Sequence, residues 1–183
     1  LKFDAEGRIA ALVEYPRNDA HRLIEECMIA ANIAAARFLD RSHVPTLYRV
    51  HGMPEEDRLE TLRQFLREFG LWLPPAGEVT AQHLRDLLQK LGDRPDALLV
   101  STAVIRSMPQ AVYQPGNIGH FGLALEHYAH FTSPIRRYPD LVVHRGIRQV
   151  LQGGDPQELV AWHGPFPMLG QDCSFRERRA DEA

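Results

Sequence analysis

The residues best suited to chemistry lie in the stretch 130–138, which reads His-Phe-Thr-Ser-Pro-Ile-Arg-Arg-Tyr. A hydroxyl residue followed by proline predicts that a helix starts here, at Thr132-Ser133-Pro134. Arg136 and Arg137 would then lie in its first turn, where the positive end of the helix dipole disfavours cations. A bound anion resolves this conflict, because backbone N–H groups, the hydroxyl of Thr132 or Ser133 and a guanidinium together make a phosphate site.

The same arginines also fit an arrangement that needs no ligand. Asp140 follows Arg137 at helical spacing, so one arginine would pair with this carboxylate while the other lies in solvent. The spacing alone leaves both interpretations open.

A second candidate site lies on the helix predicted over 18–40, with asparagine as its N-cap. Helical spacing places Arg22, Glu25 and Asn32 on one stripe and Glu26 on the neighbouring one. A carboxylate there can accept hydrogen bonds from the hydroxyls of a substrate, as in ribose recognition. An ion pair between Glu25 and Arg22 at the helix edge explains the same spacing.

Other residue types suited to catalysis form no recognisable site. His120, His127 and His130 are close in sequence, but no further ligand follows at a familiar spacing, so we interpret them as structural or surface residues. The aspartates are scattered, whereas metal-assisted phosphate hydrolysis needs several carboxylates close together. The sequence contains no nucleophile elbow, Walker loop or Gly-x-Gly-x-x-Gly motif. We therefore predict no metal ligands in this chain.

Composition is typical of a soluble globular protein, with 44% hydrophobic and 25% charged residues in a chain of 183. The longest mostly apolar run, 27–36, is too short to span a bilayer. Cys27 and Cys173 lie far apart, so we expect a reducing, cytoplasmic setting. The net charge of −3 excludes a globally basic surface, and binding of nucleic acid would need a local patch.

Most of the segments that must position these residues are predicted to be helical, and a few are predicted to be strands. This pattern predicts a mostly helical α+β fold. Helices are expected over 54–69, 80–92, 93–111, 132–151 and from Ser174 onwards, where Ser174 and Glu177 form a capping box. Strands are expected over 1–3, 8–15 and 120–128, and the segment 157–170 stays ambiguous.

Four stretches resemble the RNB catalytic domain of the ribonuclease II/ribonuclease R family. They lie at 17–32, 47–51, 119–141 and 173–183. The third is long and highly specific, and its Thr-Ser-Pro-Ile-Arg-Arg-Tyr-Pro run is more similar to the ribonuclease R branch. The resemblance implies that residues 1–183 are the C-terminal portion of an RNB domain, incomplete at both ends, within a larger protein.

Members of this family are processive 3′→5′ exoribonucleases that hydrolyse single-stranded RNA to nucleoside 5′-monophosphates with magnesium. The resemblance implies that Arg136 is the catalytic arginine and that Arg137 contacts RNA or a carboxylate. Glu26 matches best, and Glu25 next, the carboxylate beside the 3′-terminal ribose. The further RNA-binding residues that we expect are Asn32, Thr132, Ser133 and Tyr138.

The family's magnesium-binding aspartates lie upstream and are absent here, so this chain alone is not expected to cleave RNA. An alternative parent is a catalytically inactive RNB-like protein that binds RNA, and a further one is a helical interaction domain. DNA and membranes are not expected as partners. The missing N-terminal half of the domain is an expected partner, because half a domain exposes apolar surface and should be marginally stable or self-associate.

Overall fold

The computed structural model describes residues 2–4, 6–11 and 18–182. Helices dominate, which confirms the expected mostly helical α+β class. The helices of the described residues are α1 (Asp19–Arg41), α2 (Glu56–Glu68), α3 (Ala81–Leu91), α4 (Ala97–Ser107), α5 (Tyr138–Leu151), α6 (Gln157–His163) and α7 (Phe166–Asp181). The strands are β1 (Lys2–Phe3), β2 (Ile9–Ala11), β3 (Tyr48–Val50) and β4 (Val112–Gln114), and 3₁₀ helices lie at Ala76–Glu78 and Phe121–Leu123.

The N-terminal strands β1 and β2 pair antiparallel, with Lys2 opposite Ala11. The two strands expected near the N-terminus are thereby confirmed where they are described. Leu1 and the segment 12–15, which belong to the same prediction, lie outside the described residues.

The second sheet, β3 with β4, positions the middle of the chain. It is antiparallel, with Tyr48 opposite Gln114 and Val50 opposite Val112. The sequence did not predict either strand, because three residues are too few to show an alternating pattern. The other edge of β3 bonds to a loop, since the Arg49 amide donates to the carbonyl of Tyr128 over 2.9 Å.

Two hydrophobic cores hold these elements. The first joins α1, the β3–β4 sheet, α5, α6 and α7 around residues such as Leu39, Leu47 and Val143. The second joins α2, α3 and α4 around residues such as Leu66 and Val104. Burial of the leucine stripes on α2 and α3 confirms their predicted amphipathic faces, and it is the main source of stability for helices of this length.

Helix α1 begins directly after the predicted N-cap residue, Asn18. The Asn18 side chain accepts a hydrogen bond from the His21 amide over 3.0 Å, which confirms the predicted N-cap. Thr80 caps α3 in the same way, and Gly92 follows its end. Burial of α1 starts later than the apolar run predicts, because Cys27 is exposed and Asn32 is its first buried residue.

The prediction that a helix starts at 132–134 is wrong. The helix α5 starts at Tyr138, with Arg137 as its N-cap and Pro139 in its first turn. Proline has no N–H, and inside a helix its ring clashes with the carbonyl four residues earlier. A start at Pro134 would place Pro139 in the helix interior, whereas a start at Tyr138 places it where proline is tolerated.

The prediction of a strand over 120–128 is also wrong. A 3₁₀ turn occupies Phe121–Leu123, and Ala124 adopts a left-handed conformation with a φ of 55°. That conformation reverses the chain, so the alternating residues cannot continue as an extended strand. His120 makes only isolated bridges, to His51 and Leu125.

The last helix begins eight residues before its predicted start. Helix α7 begins at Phe166, so Ser174 lies inside it and is buried. The Ser174 hydroxyl donates to the carbonyl of Gly170 over 2.8 Å and accepts from the amide of Tyr113 over 2.9 Å. The capping-box assignment is therefore wrong, because this hydroxyl joins α7 to β4. The expected helix over 93–111 is also shorter, ending at Ser107.

Candidate functional site

The segment Tyr128–Arg137, called the site loop below, lies between the 3₁₀ turn and α5. Asn32 of α1 fastens its first half, since the amide oxygen accepts from the backbone N–H of Phe131 over 2.9 Å. The Asn32 amide nitrogen donates to the hydroxyl of Tyr128 over 3.1 Å. Asn32 is only 3% exposed, and both the oxygen and the nitrogen of its side-chain amide bond to the site loop.

The second half of the site loop is fastened by Asp140 of α5. One carboxylate oxygen accepts from the Ser133 amide and from the Arg137 guanidinium, each over 2.7 Å. Arg136 is exposed. Arg137 is therefore paired with Asp140 and Arg136 is exposed, which is the pairing that the interpretation without a ligand expects.

The geometry expected for a phosphate at a helix N-terminus is not found. Arg136 and Arg137 precede α5, and their amides donate to the carbonyl of Ser133 over 3.3 and 3.1 Å. The Ser133 amide is already bonded to Asp140. These N–H groups bond within the turn or to Asp140, so they are not free to bind a phosphate.

A groove of about 420 Å³ runs between α1 and the site loop. Four of the predicted site residues line it: Glu25, Asn32, Thr132 and Arg137. Ile24, Met28 and Leu123 add apolar walls, and Tyr128 adds an aromatic ring. The groove therefore brings charged, polar and apolar groups together on one surface.

The other four predicted residues are absent from the lining of this groove. They are Glu26, Ser133, Arg136 and Tyr138. Tyr138 is 45% exposed, and its hydroxyl shares a hydrogen bond of 3.0 Å with His163 of α6. Of the two acidic residues, the groove favours Glu25 over Glu26.

A largely half-buried polar cluster contacts the site loop. The hydroxyl of Tyr113 lies 2.8 Å from Nδ1 of His130, and the guanidinium carbon of Arg49 lies 4.7 Å from the Tyr113 ring. Arg49 pairs with Glu177 of α7 over 2.5 Å. No sequence pattern links these residues, because they come from four separate segments.

The histidines near the loop are half-buried. Burial, reinforced by Arg137 and Arg49, lowers the pKa of His130 to about 3. Burial, reinforced by His51, lowers the pKa of His120 to about 4. Both imidazoles are therefore neutral near pH 7. Within 2–4, 6–11 and 18–182, no three His, Cys, Asp or Glu side chains come together as metal ligands.

The family of the chain follows from comparison with known proteins. A profile of the RNB domain matches residues 1–153. The chain belongs to the RNB domain family. The matched part contains α1, the site loop and α5, and so both walls of the groove.

Similarity to RNB proteins extends over nearly all of this chain. Ribonuclease R of Escherichia coli (strain K12) is 50% identical over 189 residues, covering 99% of this chain and 23% of the relative. RNase R of Mycoplasma genitalium, in complex with ribose methylated single-stranded RNA, has the same fold with a TM-score of 0.84 at 24% identity, covering 96% of this chain and 28% of that one.

A solved structure of yeast Ssd1, a pseudonuclease, is also similar. Its TM-score is 0.71 at 25% identity, covering 87% of this chain and 20% of that one. The chain thus spans about a quarter of the length of the RNB proteins that it matches. Among the helices of the described residues, none is long and apolar enough to cross a membrane.

Proposed function

We propose that this chain is part of a processive 3′→5′ exoribonuclease that degrades single-stranded RNA to nucleoside 5′-monophosphates. Membership of the RNB family and 50% identity to a protein named Ribonuclease R support RNA as the substrate class. The observation that carries the proposal is the groove, where Glu25 and Asn32 of α1 meet Thr132 and Arg137 of the site loop. These residues are about 100 positions apart in sequence and share one surface only in the fold.

In this proposal Arg136 acts on the scissile phosphate. Its exposed guanidinium follows a turn fixed by Ser133 and Arg137, so it can offer two parallel N–H donors to a phosphate. Donors held in place before the reaction stabilise the charge that develops in the transition state. Arg137 is paired with the carboxylate of Asp140, so Arg136 supplies the uncompensated positive charge of the turn.

The remaining residues would bind the 3′-terminal nucleotide. Glu25 accepts hydrogen bonds from ribose hydroxyls, with Glu26 next to it on the helix surface. The hydroxyls of Thr132 and Ser133 bond phosphate oxygens. Tyr138, beside Arg136, offers a half-exposed ring on which a base can stack.

Magnesium is the metal that we expect in the parent protein, where it would polarise the phosphate and activate water. The described residues do not fit as its ligands, because no group of three suitable side chains occurs among them. We therefore assign the metal to residues outside this chain, in the N-terminal half of the domain, and we expect the chain by itself not to cleave RNA. Residues 1–183 as a C-terminal portion of the domain and the cytoplasmic setting stay predictions.

The second candidate is an RNB-like protein that binds RNA without cutting it. The likeness to yeast Ssd1, described as a pseudonuclease, favours keeping this alternative. Both candidates predict binding of single-stranded RNA, with no DNA or membrane partner. They differ in whether a nucleotide product forms.

The test compares the full-length parent with its Arg136→Ala variant on 5′-labelled single-stranded RNA with Mg²⁺. We expect the variant to lose about 100- to 1,000-fold in kcat while it still binds RNA, as when one preorganised donor to the transition state is removed. Arg37→Ala, at an exposed arginine on α1, is the matched control. Activity of Arg136→Ala within threefold of wild type would refute the role of Arg136. A wild-type parent that binds RNA and releases no mononucleotide would support the second candidate.

A further inference from the structure

A buried carboxylate lies directly behind the exposed arginine of the site loop. Asp140 is 0% exposed, although it sits in the first turn of α5 and carries a charge. Burying a carboxylate is costly unless it is paired and hydrogen-bonded. The hydrogen bonds of the Asp140 side chain should therefore show what compensates for the cost of burying it.

Within the described residues, the side-chain hydrogen bonds of Asp140 go to the second half of the site loop. Oδ1 accepts from the Ser133 amide and from Nη2 of Arg137, each over 2.7 Å. Oδ2 accepts no hydrogen bond within the described residues, so neutralisation of the carboxylate depends on Arg137. One atom thus fixes the residues on both sides of Pro134, Ile135 and Arg136.

The turn between these two fixed points determines where Arg136 lies. The carbonyl of Ser133 accepts from the amides of both Arg136 and Arg137. Ile135, inside the turn, is fully exposed, so no packing of its side chain holds the segment. The two hydrogen bonds to Asp140 restrain this part of the loop, whereas Asn32 restrains the part near Phe131.

We propose that Asp140 is a positioning residue for Arg136. It acts through Ser133 and Arg137, holding the turn so that the Arg136 guanidinium meets the phosphate in one orientation. Asp140 does not line the groove, so it acts without touching RNA. The inference rests on the proposed function, in which Arg136 is the group that needs positioning.

The experiment uses the full-length parent with Asp140→Ala and Asp140→Asn. Asp172→Ala is the matched control, because Asp172 also pairs with an arginine close in sequence, Arg176, over 2.8 Å, but is about half exposed. Hydrogen–deuterium exchange is measured for peptides covering 128–131 and 133–137. The kcat and KM for single-stranded RNA are measured in parallel, together with those of Arg136→Ala.

For Asp140→Ala we expect exchange in 133–137 to become at least tenfold faster, with 128–131 unchanged because Asn32 still holds it. We expect kcat to fall about 100-fold, as for a misplaced reacting group, while KM changes less than about threefold. Asp140→Asn keeps an acceptor for the Ser133 amide, so it should recover part of both losses. If Asp140→Ala does not fold, Asp140→Asn carries the test, with an expected loss of about tenfold in kcat.

Two results would overturn the inference. In the first, Asp140→Ala shows the same exchange in 133–137 and the same kcat as Asp172→Ala. In the second, Asp140→Ala raises KM at constant kcat, which indicates that Asp140 contacts RNA. The proposed function fails separately, if Arg136→Ala stays active. The exchange measurement needs no catalysis, so it reports on the positioning of the loop in either case.

Discussion

The contact between α7 and β4 allows a quantitative test at Gly170. A Cβ at this position would lie 2.5 Å from the carbonyl oxygen of Tyr113, a distance that real Cβ atoms essentially never show. The oxygen belongs to the backbone of β4, which pairs with β3 and cannot rotate aside. Gly170→Ala must therefore push α7 and β4 apart.

The size of the effect follows from the distances. Restoring an ordinary contact of 3.4 Å needs a separation of about 0.9 Å. That shift would stretch the bond of 2.9 Å from the Tyr113 amide to Ser174 beyond hydrogen-bonding range. Overpacking costs about 1–3 kcal/mol and a buried amide without a partner about 1–3 kcal/mol, against about 1 kcal/mol gained by alanine in a helix. We expect a net loss of about 3 kcal/mol.

Thermal unfolding of the full-length parent measures this loss. About 3 kcal/mol should lower the Tm of a domain of this size by about 6–12 °C. Gly146→Ala on α5 is the matched control, because the nearest atoms that a Cβ there would meet belong to side chains: Cγ1 of Val44 at 3.6 Å and, more closely, the ends of the Leu39 side chain at 3.2 and 3.4 Å. That side chain can adjust, so we expect the control to change stability by less than about 1 kcal/mol.

The reasoning is refuted if Gly170→Ala unfolds within about 1 kcal/mol of wild type, or if both variants lose the same stability. We also expect a functional effect of Gly170→Ala, since α7 carries Glu177, whose pair with Arg49 supports Tyr113 and thereby His130. Faster hydrogen exchange of the site loop in Gly170→Ala, and not in Gly146→Ala, would show this coupling.

Two further predictions concern charge at the site. Arg137→Ala leaves the buried Asp140 without its charged partner and should lower the free energy of unfolding by about 3 kcal/mol. Arg136→Ala should change it by less than about 0.5 kcal/mol, because Arg136 is exposed. Equal Tm values for the two variants would contradict the structure. His130 and His120, with pKa values lowered to about 3 and about 4, stay neutral when folded but take up protons on unfolding below the ordinary value of 6.5. Stability should therefore fall as the pH drops from about 6.5 towards 4, and His130→Gln should flatten this fall in Tm measured between pH 7 and 5.

The sequence predicted the elements whose signals are local. Asn18 and Thr80 cap their helices through hydrogen bonds that span three residues. The apolar stripes of α2 and α3 repeat at helical spacing, and both are buried in the second core. Such signals depend on neighbours within one or two turns, so they can be recognised without knowing the fold.

The errors arose where two local signals compete or where the partner is distant. Pro134 and Pro139 each suit the first turn of a helix, and the clash of an interior proline decides for the second. This choice could have been made from the sequence. Ser174 looked like a cap, but its hydroxyl bonds to Tyr113, 61 positions away, and no local pattern predicts that contact.

By itself the sequence determined the helical class, the resemblance to the RNB family and the candidate arginines, because residue types and short spacings carry this information. Only the tertiary structure decided that Arg137 is tied to Asp140 while Arg136 is exposed, and that Glu25 rather than Glu26 faces the groove. The physical reason is that exposure and pairing depend on which surfaces the packed helices bring together. The α1 side chains and the site loop meet only once the apolar residues of α1 and α5 are buried together in the first core.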